Sequence, residues 1–144
     1  MKVQILGSNG YIGKNFTHYL RSLQNLNLQL FDINSDSIHF DLQYSQLDIS
    51  DNSDVLKIKF DSDFIFIFSG LTGTGAGFTK YEDYVKINEI GLLNILNSLK
   101  EQNYKGRIIF PSTRLVYKGV KDTPLKEDAE KEFIESALRA TGGR

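Results

Sequence analysis

Short apolar runs alternate along this chain with segments of helical period. Lys2-Val-Gln-Ile-Leu6 is largely apolar and stops at Gly7, the pattern of a buried strand. Over residues 11–23, Ile12, Phe16, Leu20 and Leu23 recur at spacings of 4, 4 and 3, which predicts one apolar stripe along a helix. Leu28–Phe31 reads as a second strand, stopped by Asp32-Ile33-Asn34, and a weaker third lies within residues 43–48. Asp51–Lys57 is a short helix that Asp51 or Ser53 can cap. Asp63-Phe-Ile-Phe-Ile-Phe68 is the clearest strand. Its unbroken run of aromatic and β-branched residues requires burial on both faces, as in a parallel sheet. The polar, glycine-rich stretch Ser69–Thr79 reads as a loop. It opens a long helix over residues 80–102, with Tyr84, Ile87, Leu92, Ile95, Leu96 and Leu99 mostly on one broad face. Arg107–Phe110 is a fifth strand, closed by Pro111. Strands that alternate with helices, with no internal repeat, predict an α/β layer fold with a parallel sheet and right-handed crossovers.

The first candidate chemistry lies between the opening strand and helix, at Gly7-Ser-Asn-Gly10-Tyr11-Ile12-Gly13. Glycines there let the chain reverse sharply, let an anion approach the backbone, and let helix and strand pack closely. The helix that follows aims free N–H groups and its positive end at such an anion. A glycine triplet by itself often only turns the chain. Here Asp32, at the end of the next strand, stands 19 residues past Gly13, close to the separation of about 20 expected for a ribose-binding acid. A carboxylate at that place accepts both hydroxyls of an adenosine ribose and repels a 2′-phosphate, which favours NAD over NADP. The bland alternative for Asp32 is a turn residue after a strand.

Composition narrows the classes. The 144 residues carry 17 Lys plus Arg against 18 Asp plus Glu, for a formal net charge of -1. That balance argues against a nucleic-acid binder, which needs a basic face. There is no cysteine, which removes disulfides, cysteine zinc sites and thiol catalysis. With only His18 and His39, a multi-histidine metal site is excluded as well, so no metal is expected. The longest apolar run, Phe64–Phe68, is too short to span a bilayer, and Met1-Lys2 runs straight into the first strand without an apolar leader. A cytoplasmic protein with no membrane partner is expected. The last nine residues, Ser136–Arg144, shift toward Ala, Arg and Gly, so they are either an atypical, artificial tail or a natural helical turn.

With these residues in place, the chain resembles the NAD-dependent sugar epimerases and dehydratases of the extended short-chain dehydrogenase/reductase family. The resemblance runs from residue 1 to about 128. It rests on Gly7-x-x-Gly10-x-x-Gly13 with Tyr11-Ile12, on Asp32, and on Leu47-Asp48-Ile49-Ser50-Asp51. It continues through Phe68-Ser69-Gly70-Leu71, Asn88-Glu89-Ile90-Gly91, Phe110-Pro-Ser112-Thr113-Arg-Leu-Val-Tyr117 and Thr123–Asp128. Ser69 departs mildly, since a small apolar residue is commoner there, and Lys118 stands where the family has glycine. The resemblance implies a Rossmann-like, doubly wound parallel sheet of about five strands in the order 3-2-1-4-5, occupying residues 1–135. It implies that Asp48 and Ile49 flank adenine and that Ser69, Gly70 and Leu71 lie along the phosphates and nicotinamide ribose. It also places Asn88 and Ser112 in the cofactor site and gives Thr113 the role of orienting a sugar hydroxyl. Read alone, Asn88 is a residue that hydrogen-bonds helix backbone, Asp48 a charge before a helix, Ser69–Gly77 a flexible surface loop, and Tyr81 and Tyr84 helix packing.

The family's chemistry further needs a Tyr-x-x-x-Lys pair on a helix, the tyrosine as acid/base and the lysine lowering its pKa. Where that pair is due the chain reads Glu132–Ala140, without tyrosine. Tyr117 and Lys121 have the spacing, but the resemblance assigns Tyr117 to the turn after strand five. The expectation is therefore the NAD-binding part of a nucleotide-sugar epimerase or dehydratase, inactive alone and cut before its catalytic helix. It should associate with itself through the helix at 80–102. A non-catalytic regulatory NAD-binding module and an NADP-dependent reductase of the same family are the alternatives.

Overall fold

A computed structural model describes residues 1–39 and 41–112. Met1–Phe110 form one compact unit. In chain order its elements are β1 (Lys2–Leu6), α1 (Tyr11–Arg21), β2 (Asn27–Asp32), β3 (Gln43–Gln46) and α2 (Asn52–Val55). Then come β4 (Phe64–Ile67), α3 (Thr74–Thr79), α4 (Tyr81–Tyr84), a π-helical segment (Val85–Gly91), α5 (Leu92–Glu101) and β5 (Arg107–Ile109). All four strand pairings are parallel and the order is β3-β2-β1-β4-β5. This is the Rossmann-like arrangement that the resemblance implies. The chain steps outward from β1 to β3, then returns to lay β4 on the other side of β1. At that switch the loops leaving β1 and β4 diverge, and a crevice opens at the carboxyl ends of the strands.

The apolar run of β4 divides by parity. Phe64, Phe66 and Phe68 join Val3, Ile5, Leu28 and Leu30 in the layer under α1, where Phe16 and Leu20 meet them. Ile65 and Ile67 join Leu6 and Phe31 in the opposite layer, under Val55 of α2 and Ile95 and Leu99 of α5. Both faces of the central strands are thus dry, as the sequence requires. Gln4 is the polar exception, fully buried. Its amide donates to Gln29 Oε1 at 3.0 Å and to the Lys59 carbonyl at 2.9 Å, and its oxygen accepts from Ser62 Oγ at 2.9 Å, so no partner is missing.

Three expectations change. The buried face of α1 is Gly13, Thr17 and Leu20, with Phe16 beside them, whereas Ile12 and Leu23 are exposed. Small residues take the inner face because helix and glycine turn pack too closely for a larger one. Part of the stretch read as a loop, Thr74–Thr79, is a short helix. The helix expected over 80–102 is helical from Tyr81 to Glu101, but seven of its residues wind as a π-helix. The wider winding explains the breadth of its apolar face. Ile87 and Ile95 both pack on the same core, although eight residues at 100° each leave them about 80° apart on an α-helix. One extra residue in the turn brings them to within about 20°.

Candidate functional site

The turn after β1 is built from backbone. Gly7 has φ +84°, and a Cβ there would stand 2.5 Å from Ser69 N and 2.6 Å from the Phe68 carbonyl carbon. A Cβ on Gly13 would stand 2.1 Å from Gly7 O and 2.8 Å from Ser8 Cα. These two glycines let β1, β4 and α1 meet at one point. The Gly7 and Ser8 N–H groups donate to the Phe31 carbonyl, at 2.8 and 3.0 Å, which ties the turn to β2. Gly10 begins α1 in extended conformation with no side-chain cap, and the first turn holds no acidic residue. The leading N–H groups of α1, at Tyr11 and Ile12, therefore have no side-chain acceptor and face the approach of an anion.

Asp32 ends β2 beside this turn and is 8% exposed. Its Oδ2 accepts the Asn9 N–H at 2.9 Å, and its Oδ1 accepts from the Asn34 side-chain amide at 3.2 Å. Oδ1 also accepts the Asn34 backbone N–H at 3.4 Å. Oδ2 therefore keeps a free lone pair, and Oδ1, held only by long bonds within its own turn, can exchange one for a stronger donor. Tyr44 braces the loop that follows by donating its hydroxyl to the Asn34 carbonyl at 2.5 Å. Burial foremost, and then the carboxylates of Asp32 and Asp36, raise the pKa of that phenol, so it stays a donor.

The turn and the carboxylate share one cleft of about 250 Å³ with the segments after β3 and β4. Of the residues singled out from sequence, Gly7, Gly10, Asp32, Asp48, Ile49, Ser69, Gly70 and Leu71 line it. Asp48 closes a local turn, its Oδ1 accepting from Ser50 N–H at 2.9 Å and Ser50 Oγ at 2.7 Å. Asp51, not Ser53, caps α2, accepting the Ser53 N–H at 2.8 Å. Other candidates lie elsewhere. Tyr11 and Ile12 are exposed and offer the site backbone only. Gly13 is buried behind the turn. The Asn88 amide is taken up by both backbone groups of Leu71, a loop segment and not the helix backbone expected. Ser112 follows β5, and Thr113, the Tyr117–Lys121 pair and the tail at 136–144 lie outside the described residues.

Sequence reasoning passed over Asn9, Ile33, Asn34, Leu47, Phe68 and Ile87, which also line the cleft. Five of them, all but Asn34, adjoin residues already chosen, which is the only signal that marked them. A wider hollow of about 900 Å³ opens between residues 60–64 and 102–108. It lies at the amino ends of β4 and β5, away from the crevice where open α/β sheets hold ligands, and Asp61 and Asp63 there are bonded to Lys2. Among the described residues no helix is long and apolar enough to cross a membrane, and no acidic or histidine cluster is suited to a metal ion.

Residues 3–138 match the NAD dependent epimerase/dehydratase family. The chain belongs to that family. A curated relative, the UDP-glucose 4-epimerase of Mycoplasma pneumoniae, is 28% identical over 136 residues, 88% of this chain and 40% of the relative. UDP-glucose 4-epimerase from Bifidobacterium longum, solved with NAD+ and UDP, superposes with a TM-score of 0.76 at 21% identity, over 99% of this chain and 47% of that one. The enzyme from Stenotrophomonas maltophila, solved with NAD and formylated UDP-arabinopyranose, gives 0.74 at 22% identity, over 97% and 45%. The chain thus spans less than half the length of these relatives. For an NAD dependent epimerase/dehydratase the cleft passes a direct test. The turn is bare of side chains at Gly7 and Gly13, where a Cβ would collide with backbone, the helix start is uncapped with no acid in its first turn, and a buried carboxylate stands beside it. A volume of 250 Å³ sits just below the range of about 300–1,000 Å³ usual for small-molecule sites.

Proposed function

We propose that this chain supplies the NAD-binding part of a nucleotide-sugar epimerase or dehydratase, which works by reversible hydride transfer between a sugar carbon and NAD. The observation that carries the reading is the buried Asp32 carboxylate, held by Asn9 N–H at the lip of the glycine turn. Asp32 accepts the adenosine ribose hydroxyls, and Ile33, Leu47 and Ile49 border the adenine. The uncapped start of α1 donates to the pyrophosphate, which the side-chain-free glycines of the turn let approach, and Ser69, Gly70 and Leu71 flank the other half. Bound NAD supplies the hydride acceptor; the residues described here bind it, orient it and exclude a 2′-phosphate.

Thr113 is the sequence's match to the residue that orients the sugar hydroxyl. The only Tyr-x-x-x-Lys in the 144 residues is Tyr117–Lys121, four residues past Thr113, and it is not the acid/base pair in this reading. The chain therefore binds NAD(H) and does not turn over nucleotide sugars. Calorimetric titration with NAD and NADP, run beside an epimerisation assay with UDP-glucose, tests both statements. Tighter binding of NAD without turnover is expected. Preference for NADP, or epimerisation by the purified chain, refutes the reading.

A further inference from the structure

We infer that the π-helical segment and the start of α5 form a clasp that sets the spacing of the cleft's two walls, with Asn88 positioning one wall and Asn94 the other. This rests on the cofactor reading above and extends it to residues that do not line the cleft.

One wall is the loop after β4. Asn88 sits in the π-helical segment and grips that loop with both ends of its amide. Its Oδ1 accepts the Leu71 N–H at 2.7 Å, and its Nδ2 donates to the Leu71 carbonyl at 2.9 Å. A Cβ on Gly70 would stand 3.2 Å from Asn88 Oδ1, so the loop lies directly on the helix. One turn earlier, the Tyr84 hydroxyl lies 2.7 Å from the Thr72 carbonyl and 2.9 Å from that of Gly73. Apart from these bonds the stretch 70–73 belongs to no strand or helix.

The other wall is the segment after β3, and the same rod reaches it. Gly91, the last residue of the π-helical segment, is buried. A Cβ there would stand 2.8 Å from Ile49 Cγ1 and 2.9 Å from its Cδ1, so the helix rests on the Ile49 side chain. Asn94 Nδ2 then donates to the Ile49 carbonyl at 3.0 Å. Two non-helical segments on opposite sides of the cleft are thus hydrogen-bonded by side chain to backbone from one helical rod. The widened turn matters because it keeps Ile87 and Ile95 on the core together, which fixes the rod's rotation and hence where Asn88 and Asn94 point.

The two arms predict different ligand responses. Ile49 borders the purine end, so Asn94 acts on any adenine nucleotide. Leu71 borders the far half, so Asn88 acts on NAD and not on AMP. Titrations of AMP and NAD into the full chain and the variants Asn88→Ala and Asn94→Ala read this. Asn88→Ala is expected to weaken NAD by about tenfold, the equivalent of one to two backbone hydrogen bonds, and to leave AMP within about twofold. Asn94→Ala is expected to weaken both by the same factor, about threefold to tenfold. General loss of stability moves both ligands together in both variants and cannot produce that split. An unchanged NAD-to-AMP affinity ratio in Asn88→Ala, with the parent binding both, overturns the clasp and leaves the cofactor reading intact. Should Asn88→Ala not fold, Asn94→Ala decides: unchanged binding of both ligands overturns the proposal. A parent chain that binds neither ligand overturns the cofactor reading and the clasp's role with it.

Discussion

Replacing Asp32 by Asn changes one charge in the cleft and almost nothing in its shape. The native carboxylate is buried, with Asn9 N–H on one oxygen and the Asn34 amide on the other. An asparagine keeps the Asn9 bond by aiming its own oxygen there. Its NH2 then faces Asn34, whose side-chain amide can reverse to accept and whose backbone N–H loses its long bond of 3.4 Å. Folding is therefore expected to survive with a cost of about 1 kcal/mol, one ordinary hydrogen bond. Binding changes more. A hydrogen bond from a ribose hydroxyl to a carboxylate contributes about 1.5–3 kcal/mol, so loss of the charge should weaken NAD by about tenfold to a hundredfold. The same charge opposes a 2′-phosphate. At about 4 Å and an effective dielectric of about 20, each pair of unit charges repels by about 4 kcal/mol. NADP should consequently gain in Asp32→Asn while NAD loses, and the gain should shrink as salt is raised. Isothermal titration of both nucleotides at two ionic strengths, with urea melts as the folding control, measures all of this. NAD affinity unchanged within twofold, and no gain for NADP in a folded variant, would refute the assignment of Asp32 to the ribose.

Gly13→Ala should destabilise the chain by about 3 kcal/mol or more, because its methyl meets Gly7 O at 2.1 Å and backbone cannot swing aside. Gly10→Ala, with nothing closer than Gly7 O at 3.3 Å, should cost less than about 1 kcal/mol in the same urea melts; equal costs would contradict the packing argument. Burial foremost, and then the neighbouring Arg21 charge, hold the His39 pKa below its ordinary value. The unfolded chain thus binds the extra proton first, and stability present above about pH 6.5 falls as the pH drops through the unfolded and then the folded pKa. His39→Gln should flatten that slope in melts taken from pH 7.5 to 5, and an unchanged slope would rule His39 out as its source. Val85, Ile90, Leu93 and Leu96 are exposed on the helical span 81–101. We propose that they mediate self-association, so light scattering should give a dimer or larger that Leu93→Glu dissociates; a monomeric parent chain would dismiss this.

The strands were legible because burial on two faces demands apolar runs: β4 is unbroken, and β1 and β2 are interrupted by Gln4 and Gln29, which bond to each other. The carboxylate of Asp32 and the glycines of the turn were legible for a related reason. The turn's backbone geometry leaves few substitutes for glycine, and Asp32 stands at the separation from that turn which a ribose-binding acid is expected to have. The inner face of α1 was not legible, since Gly13 and Thr17 are small or polar and Ile12 offered itself in their place. What put them inside was the closeness of helix and turn, a distance that no local pattern encodes. The π-helical winding was hidden for a similar reason, because its signature is a phase shift between Ile87 and Ile95 that only a shared core reveals.

By itself, then, the chain's order of residues determined an α/β sheet, a glycine turn after β1 and an acid at the end of β2, the last two consequences of neighbours within one βαβ unit. The resemblance set Asp32, Ile49 and Leu71 against one cofactor, and the tertiary structure shows these residues, from the end of β2 and two separate connections, bordering one cleft. The tertiary structure alone gave Asn88 and Asn94 their partners. Those pairings span 17 and 45 residues, and contacts of that length are set by how layers pack against a sheet, not by anything written beside the residues that make them.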